Sequence, residues 1–195
     1  MTAGILDPTL SSADANAGTP DHTTSASRHA PAAIQPRRID SLDGLRIGLL
    51  ENTKRNAAQL LDAVGAVFAT EDHAELTRFT KKDFAMPLSE DMMARLTEEC
   101  DAVVIGIGDC GSCSAAAVAD GIALEARGIP AAVVCTEAFE VTSRAMARIK
   151  GHEDYDFLLM PHPIANLTAQ DITDRGRVLA SEVRGKLVGV VGAAA

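Results

Sequence analysis

The 195-residue chain has no tryptophan, one tyrosine and five phenylalanines. Nucleic-acid platforms stack bases on aromatic rings, and a formal net charge of −9 offers no footprint for a phosphate backbone. Nucleic acid is therefore not expected as a partner. Long apolar runs are missing too. Stretches such as "DAVVIGIG" (101–108) fall far short of the roughly 20 residues of a membrane-spanning helix, so no membrane partner is expected. The first 16 residues show neither a basic start nor an apolar core, which argues against a secretory leader. Cysteines number only four. Without a leader they point to a reduced, cytoplasmic setting, where a close pair is more often catalytic or metal-binding than structural. The acidity by itself says no more than solubility.

Two regions differ in composition. Residues 1–40 contain "SSADANAGTPDHTTSASRHAPAAIQPRR", which has no helical or strand period and too little apolar surface to offset its ordering entropy. It reads as a disordered tail, and its His22 and His29 are set aside as ligands. From residue 41 to 192 the pattern is that of one α/β domain. Short apolar runs at 45–51, 102–108, 131–135 and 157–160 read as buried strands, with a weaker one near 75–79. Segments of helical period separate them, with Ser89 and Thr168 as N-caps and Gly128 as a C-cap. Such alternation implies a single doubly wound, flavodoxin-like parallel sheet of five strands in the order 2-1-3-4-5, with helices on both faces.

Ligands of open parallel sheets bind beyond the carboxyl ends of the strands. Four strands carry polar groups to that edge. Strand one ends in "ENTKRN", strand three in "DCGSC", strand four in "CTE" and strand five in "PHP". Cys110 and Cys113, with Gly111 and Ser112 between them, sit where the third strand turns into its helix. Unpaired helical amides and the helix dipole favour thiolate there. Cys110 is the expected nucleophile and Cys113 its resolving partner, the alternative being two small residues filling a tight contact. His162, stiffened by flanking prolines, is a candidate general acid/base, with Asp109 beside Cys110 as a further catalytic candidate. Asn52, Thr53, Lys54 and Asn56 could hold an anionic substrate at a helix start, although Asn52 or Asn56 could equally be plain caps. Gly111, Ser112, Thr136 and Glu137 complete the candidate substrate-binding set, Glu137 serving otherwise as the start of the next helix. Cys100 reads as packing.

The same residues admit a metal reading: Cys110, Cys113, Cys135 and His162 would make a Cys3His zinc set. Against it, structural zinc sites usually join two short chelating motifs, and only one is present here. No cofactor is expected otherwise. FMN in particular is not, because "ENTKRN" stands where a Ser/Thr-rich phosphate loop would follow strand one.

The segments "GDCGSC", "LLENTKRNAAQLL", "IPAAVVCTEAF" and "MPHPIAN" together resemble the UGSC family of thiol and selenoprotein oxidoreductase-like proteins, over residues 42–190. In its selenoprotein members the motif begins with selenocysteine, and Cys110 falls at that position here. Selenium and sulfur replace one another where the atom does nucleophilic or redox work, so the resemblance implies a reactive Cys110. The leading expectation is a thiol-dependent oxidoreductase acting on a small molecule. One alternative is a cysteine-dependent lyase, hydratase or transferase without net redox change. Another is a zinc-binding or non-catalytic partner subunit. A redox partner or second subunit could complete the system, and the "AMARIK" helical face could serve a homodimer.

Overall fold

Five apolar runs become five strands in the computed structural model, which describes residues 39–189. The elements are β1 (Arg46–Glu51), α1 (Ala57–Glu71), β2 (Glu75–Thr80), α2 (Glu90–Glu99), β3 (Ala102–Gly108), α3 (Gly111–Glu125), β4 (Ala131–Thr136), a 3-10 turn (Glu137–Phe139), α4 (Glu140–Ile149), β5 (Leu158–Met160) and α5 (Ala169–Leu187). All neighbouring strands are parallel, in the order β2-β1-β3-β4-β5. This is the flavodoxin-like order that the alternation of elements implied. The expected tail and its histidines lie outside the described residues, except for its last two positions. Of these, Ile39 is buried.

The pleat divides the side chains of each strand between two cores. On one face Ile47, Leu49, Val104 and Val134 meet α1 and α5. On the other Leu50, Val103, Ile105 and Val133 meet α2, α3 and α4. Strands β3 and β4 are buried along their whole length, as strands covered on both faces must be. Edge strand β2 buries only Phe79, which explains the weakness of its apolar signal. Cys100 packs as expected. A Cβ placed on Gly48 would lie 2.8 Å from its sulfur, so the glycine makes room for the thiol.

Helix starts follow local chemistry. The Ser89 hydroxyl accepts from the Met92 amide, and Thr168 forms a capping box with Asp171. One helix end differs from expectation. Helix α3 ends with Ala126 as its cap, while Gly128, two residues on, supplies the left-handed turn at φ 81°. It also begins at Gly111, with Cys110 itself as N-cap. Among the described residues, no helix is long and apolar enough to cross a membrane.

Candidate active site

The last residues of β3 decide where the Cys110 loop points. Pairing with β4 shifts register between Gly106 and Gly108, which leaves Ile107 out of that ladder. The buried Asn52 takes up the slack. Its amide nitrogen donates to the Ile107 carbonyl at 2.8 Å, and its oxygen accepts the Ile107 N–H at 3.1 Å. One side chain thus extends the β1–β3 ladder by a step. Gly108 follows, where a Cβ would stand 2.6 Å from Cys135 Sγ and 2.7 Å from Ser114 Oγ. Only glycine lets α3 sit this close to the sheet.

Cys110 caps α3. Its sulfur accepts the Cys113 amide at 3.3 Å and lies 3.6 Å from the exposed Ser112 hydroxyl. Cys110 and Cys113 are joined as a disulfide, with Cα atoms 5.4 Å apart, inside the range a disulfide spans. The two are not equivalent. Cys110 is half-buried, whereas Cys113 has no exposed surface. First-turn amides that no preceding carbonyl can serve face the Cys110 side of the turn and favour negative charge there.

Next to Cys110 in sequence, Asp109 is nine-tenths buried and lies against His162. His162 Nδ1 lies 2.9 Å from Asp109 Oδ1 and 3.1 Å from Thr136 Oγ1. The buried Thr136 hydroxyl donates to the Gly108 carbonyl at 3.2 Å, so its oxygen is left to accept. This network assigns the ring proton to Nδ1 and the lone pair to Nε2. Phe139 packs edge-on against the imidazole with centroids 5.5 Å apart. The amide of Ile164, just after His162, reaches Asp109 Oδ2 at 3.4 Å. Loops from β3, β4 and β5 therefore converge on one histidine.

The remaining candidates are placed less directly. Asn52 joins the scaffold, with both ends of its amide bonded to the Ile107 backbone. Asn56 occupies the N-cap of α1 at φ 66° without capping it. Its amide instead donates to the carbonyls of Ile164 at 2.9 Å and Leu167 at 3.3 Å, tying the β5–α5 loop to the β1–α1 loop. Neither asparagine is a side-chain helix cap. Thr53 is exposed and left-handed at φ 61°, a rare state for a β-branched residue, held by its amide donating to Glu51 Oε2 at 2.6 Å. Lys54 sits over the Phe84 ring at 3.9 Å. Thr136 Oγ1 lies between the Gly108 carbonyl and His162 Nδ1. Gly111 opens α3, and Glu137 is exposed at the start of the 3-10 turn.

Among the described residues no three His, Cys, Asp or Glu side chains gather as a metal set, so Cys110, Cys113, Cys135 and His162 do not form one donor cluster. Cys135 turns into the α3–α4 core. Burial pushes its thiol up to about 11, against the opposing pull of the Ser143 and Ser114 hydroxyls. The sequence reading missed Phe139 and Thr142. The latter's Oγ1 would lie 4.0 Å from a Cβ on Gly111. Both belong to the segment after β4, where no periodicity marks a side chain as facing the loop.

A family model described as the UGSC family matches residues 4–189. The match begins well before residue 42, where the motif resemblance starts, and takes in most of the segment read as a tail. No curated protein matches the chain. Among solved structures, a diflavin flavoprotein A3 from Nostoc sp. is similar at 13% identity, covering 72% of this chain and 96% of that one with a TM-score of 0.37. A likeness of that degree carries nothing about activity or cofactor.

Proposed function

The chain belongs to the UGSC family, and from that premise we propose that it is a thiol-dependent oxidoreductase with Cys110 as nucleophile and Cys113 as resolving thiol. The substrate class is a small molecule with an electrophilic sulfur, such as a disulfide. The Cys110 thiolate attacks one sulfur, forming a mixed disulfide and releasing the first substrate thiolate. Cys113 loses its proton and attacks Cys110 Sγ, which expels the second substrate thiolate. Two electrons pass to the substrate and the Cys110–Cys113 disulfide is left. A thiol donor, small molecule or protein, reduces it for the next turn. The lone pair on His162 Nε2 suits it to take and return the protons of these steps, with Thr136 and Asp109 orienting the ring. The reading uses no cofactor, since the two thiols carry the electrons.

One observation carries this reading: the unequal exposure of the two neighbouring cysteines. A partly exposed cysteine at a helix N-cap can meet a substrate, and a wholly buried one can meet only its neighbour. Intact-mass measurement on the reduced full chain tests it. At neutral pH a brief exposure to an alkylating reagent is expected to add one label, at Cys110, which Cys110→Ser abolishes. A small disulfide is expected to convert the wild type to the intramolecular disulfide, and to leave Cys113→Ser trapped as a stable mixed disulfide. Full turnover by Cys113→Ser would overturn the resolving role and favour covalent catalysis without redox change.

A further inference from the structure

Buried or half-buried cations in the described residues have an oxygen partner, with one exception. Lys81 meets Asp120, Arg184 meets Asp72, Lys186 meets Asp156 and Arg144 meets Glu140, while Arg175 donates to the Pro161 carbonyl. The exception is the half-buried Lys54. Among the described residues its side chain has neither a carboxylate nor a carbonyl partner, and the ammonium rests on the Phe84 ring at 3.9 Å. Burial strips part of the hydration from an ammonium, and an aromatic face returns less than a carboxylate would. The acidic groups of the neighbouring loops are turned elsewhere. Glu51 accepts the Thr53 amide, Asp83 accepts the Ala85 amide, and Asp109 lies against His162.

Position gives this cation a use. Glu51 pairs with Gly106 in the β1–β3 ladder, and Asn52 bonds Ile107 from both ends of its amide. Thr53 and Lys54 therefore leave β1 alongside Gly108 and Asp109, at the sheet edge where Cys110 opens. We propose that Lys54 is a specificity-determining residue that receives a carboxylate of the substrate while Cys110 attacks its sulfur. The substrate class narrows from small disulfides to small disulfides that carry a carboxylate. This assignment rests on the thiol–disulfide reading above and leaves its bonds, protons and electrons unchanged, because Lys54 meets a part of the substrate that does not react. The Phe84 ring holds the long side chain in place, so less rotamer freedom is lost on binding. One side of the ammonium is covered by that ring, which makes an ion pair there stronger than one at the open surface.

The test uses the reduced full chain with Cys113→Ser, which retains a mixed disulfide at Cys110, and follows its formation by intact mass. The probes are dithiodipropionate, a dicarboxylate, and hydroxyethyl disulfide, which is neutral. Each rate is divided by that of the same probe with free mercaptoethanol. The dicarboxylate is expected to react about tenfold faster on this scale, the size of one charge-assisted hydrogen bond. Lys54→Met is expected to remove the preference and leave the neutral probe unchanged, and Lys54→Arg to keep it. Alkylation of Cys110 by iodoacetate against iodoacetamide repeats the comparison without disulfide chemistry. No preference for the anionic probes, or a preference that survives Lys54→Met, overturns the assignment and leaves the thiol reaction standing. Equal slowing of neutral and anionic probes by Lys54→Met overturns it too, since Lys54 then only ties the loop after β1 to the loop after β2. Disulfides that never react at Cys110, beside a Lys54-dependent preference for iodoacetate, would overturn the thiol–disulfide reading and keep the anion contact.

Discussion

Four cysteines share one chemistry and differ only in what surrounds them. Cys110 stands at a helix start with solvent on one side, and Cys113 one turn further in has none. Cys100 and Cys135 are buried in apolar packing, which raises each thiol from 9.0 to about 11. A thiol whose folded pKa lies above its unfolded value stabilises the fold fully below the unfolded value. That contribution is lost as pH rises through the folded pKa. Stability is therefore expected to fall between pH 9 and 11, by on the order of 2 kcal/mol for each of the two thiols. Urea melts across that window should show the decline, and Cys135→Ala should flatten it by about half. An unchanged slope in that variant would mean that Cys135 ionises alike in both states. His162 makes the same point about surroundings. Its ring nitrogens are told apart by Thr136, whose own proton is committed to Gly108, and by the Asp109 carboxylate beside the same nitrogen.

At the scale of elements, the turn after β1 is built to hold other turns. Asn52 completes the ladder at Ile107, and Asn56 tethers the loop after β5 through Ile164 and Leu167. Removing the Asn52 amide leaves a buried N–H and a buried C=O without partners, at a cost of roughly 1–3 kcal/mol for each group. Asn52→Ala is accordingly expected to lower thermal stability by several kcal/mol and to loosen the Cys110 loop. A substrate-gripping Asn52 would behave otherwise, losing binding while melting like the wild type. Calorimetry beside the trapping rate of Cys110 separates the two. Helix α3 depends on the glycine at 108 in the same structural sense, since a methyl group there meets Cys135 and Ser114 before any ligand does.

Across the whole molecule, the β2 edge is fastened to the centre by a buried pair, Lys81 with Asp120 of α3. Their side chains are 4% and 2% exposed. Asp120 also accepts the Leu88 amide at 2.9 Å, which anchors the segment leading into α2. Burial raises the Asp120 carboxyl, and Lys81 opposes that shift. Asp120→Ala strands an ammonium in the interior and is expected to cost about 3–5 kcal/mol, whereas Lys81→Met with Asp120→Leu recovers most of the loss. Denaturant midpoints of the two variants measure the difference. Neither residue announces itself in the sequence: Lys81 follows a weak polar strand, and Asp120 interrupts an alanine-rich helix. Their pairing needs β2 and α3 brought together from 39 residues apart.

Strand number, order and the two-faced burial of the sheet were legible from local pattern, because the apolar runs 46–51, 102–108 and 131–136 are long enough for their period to outweigh noise. The position of Cys110 at a strand–helix junction followed from the same pattern, and so did the arrival of Asp109, Thr136 and His162 at one sheet edge. What local pattern could not decide was which atom faces which. Asn52 and Thr136 carry the same donors and acceptors whether they hold substrate or hold the chain, and only the packed loops show those groups already occupied. Cys135 and Cys110 are both cysteines at strand ends, yet one points into the α3–α4 core and the other toward solvent. Side-chain direction at a strand end depends on register, and the register here shifts at Ile107 through contacts 55 residues apart in the chain. The sequence alone determined the scaffold and the place of the CGSC motif in it. Tertiary structure decided the direction of each polar group, because hydrogen-bond partners are supplied by distant segments.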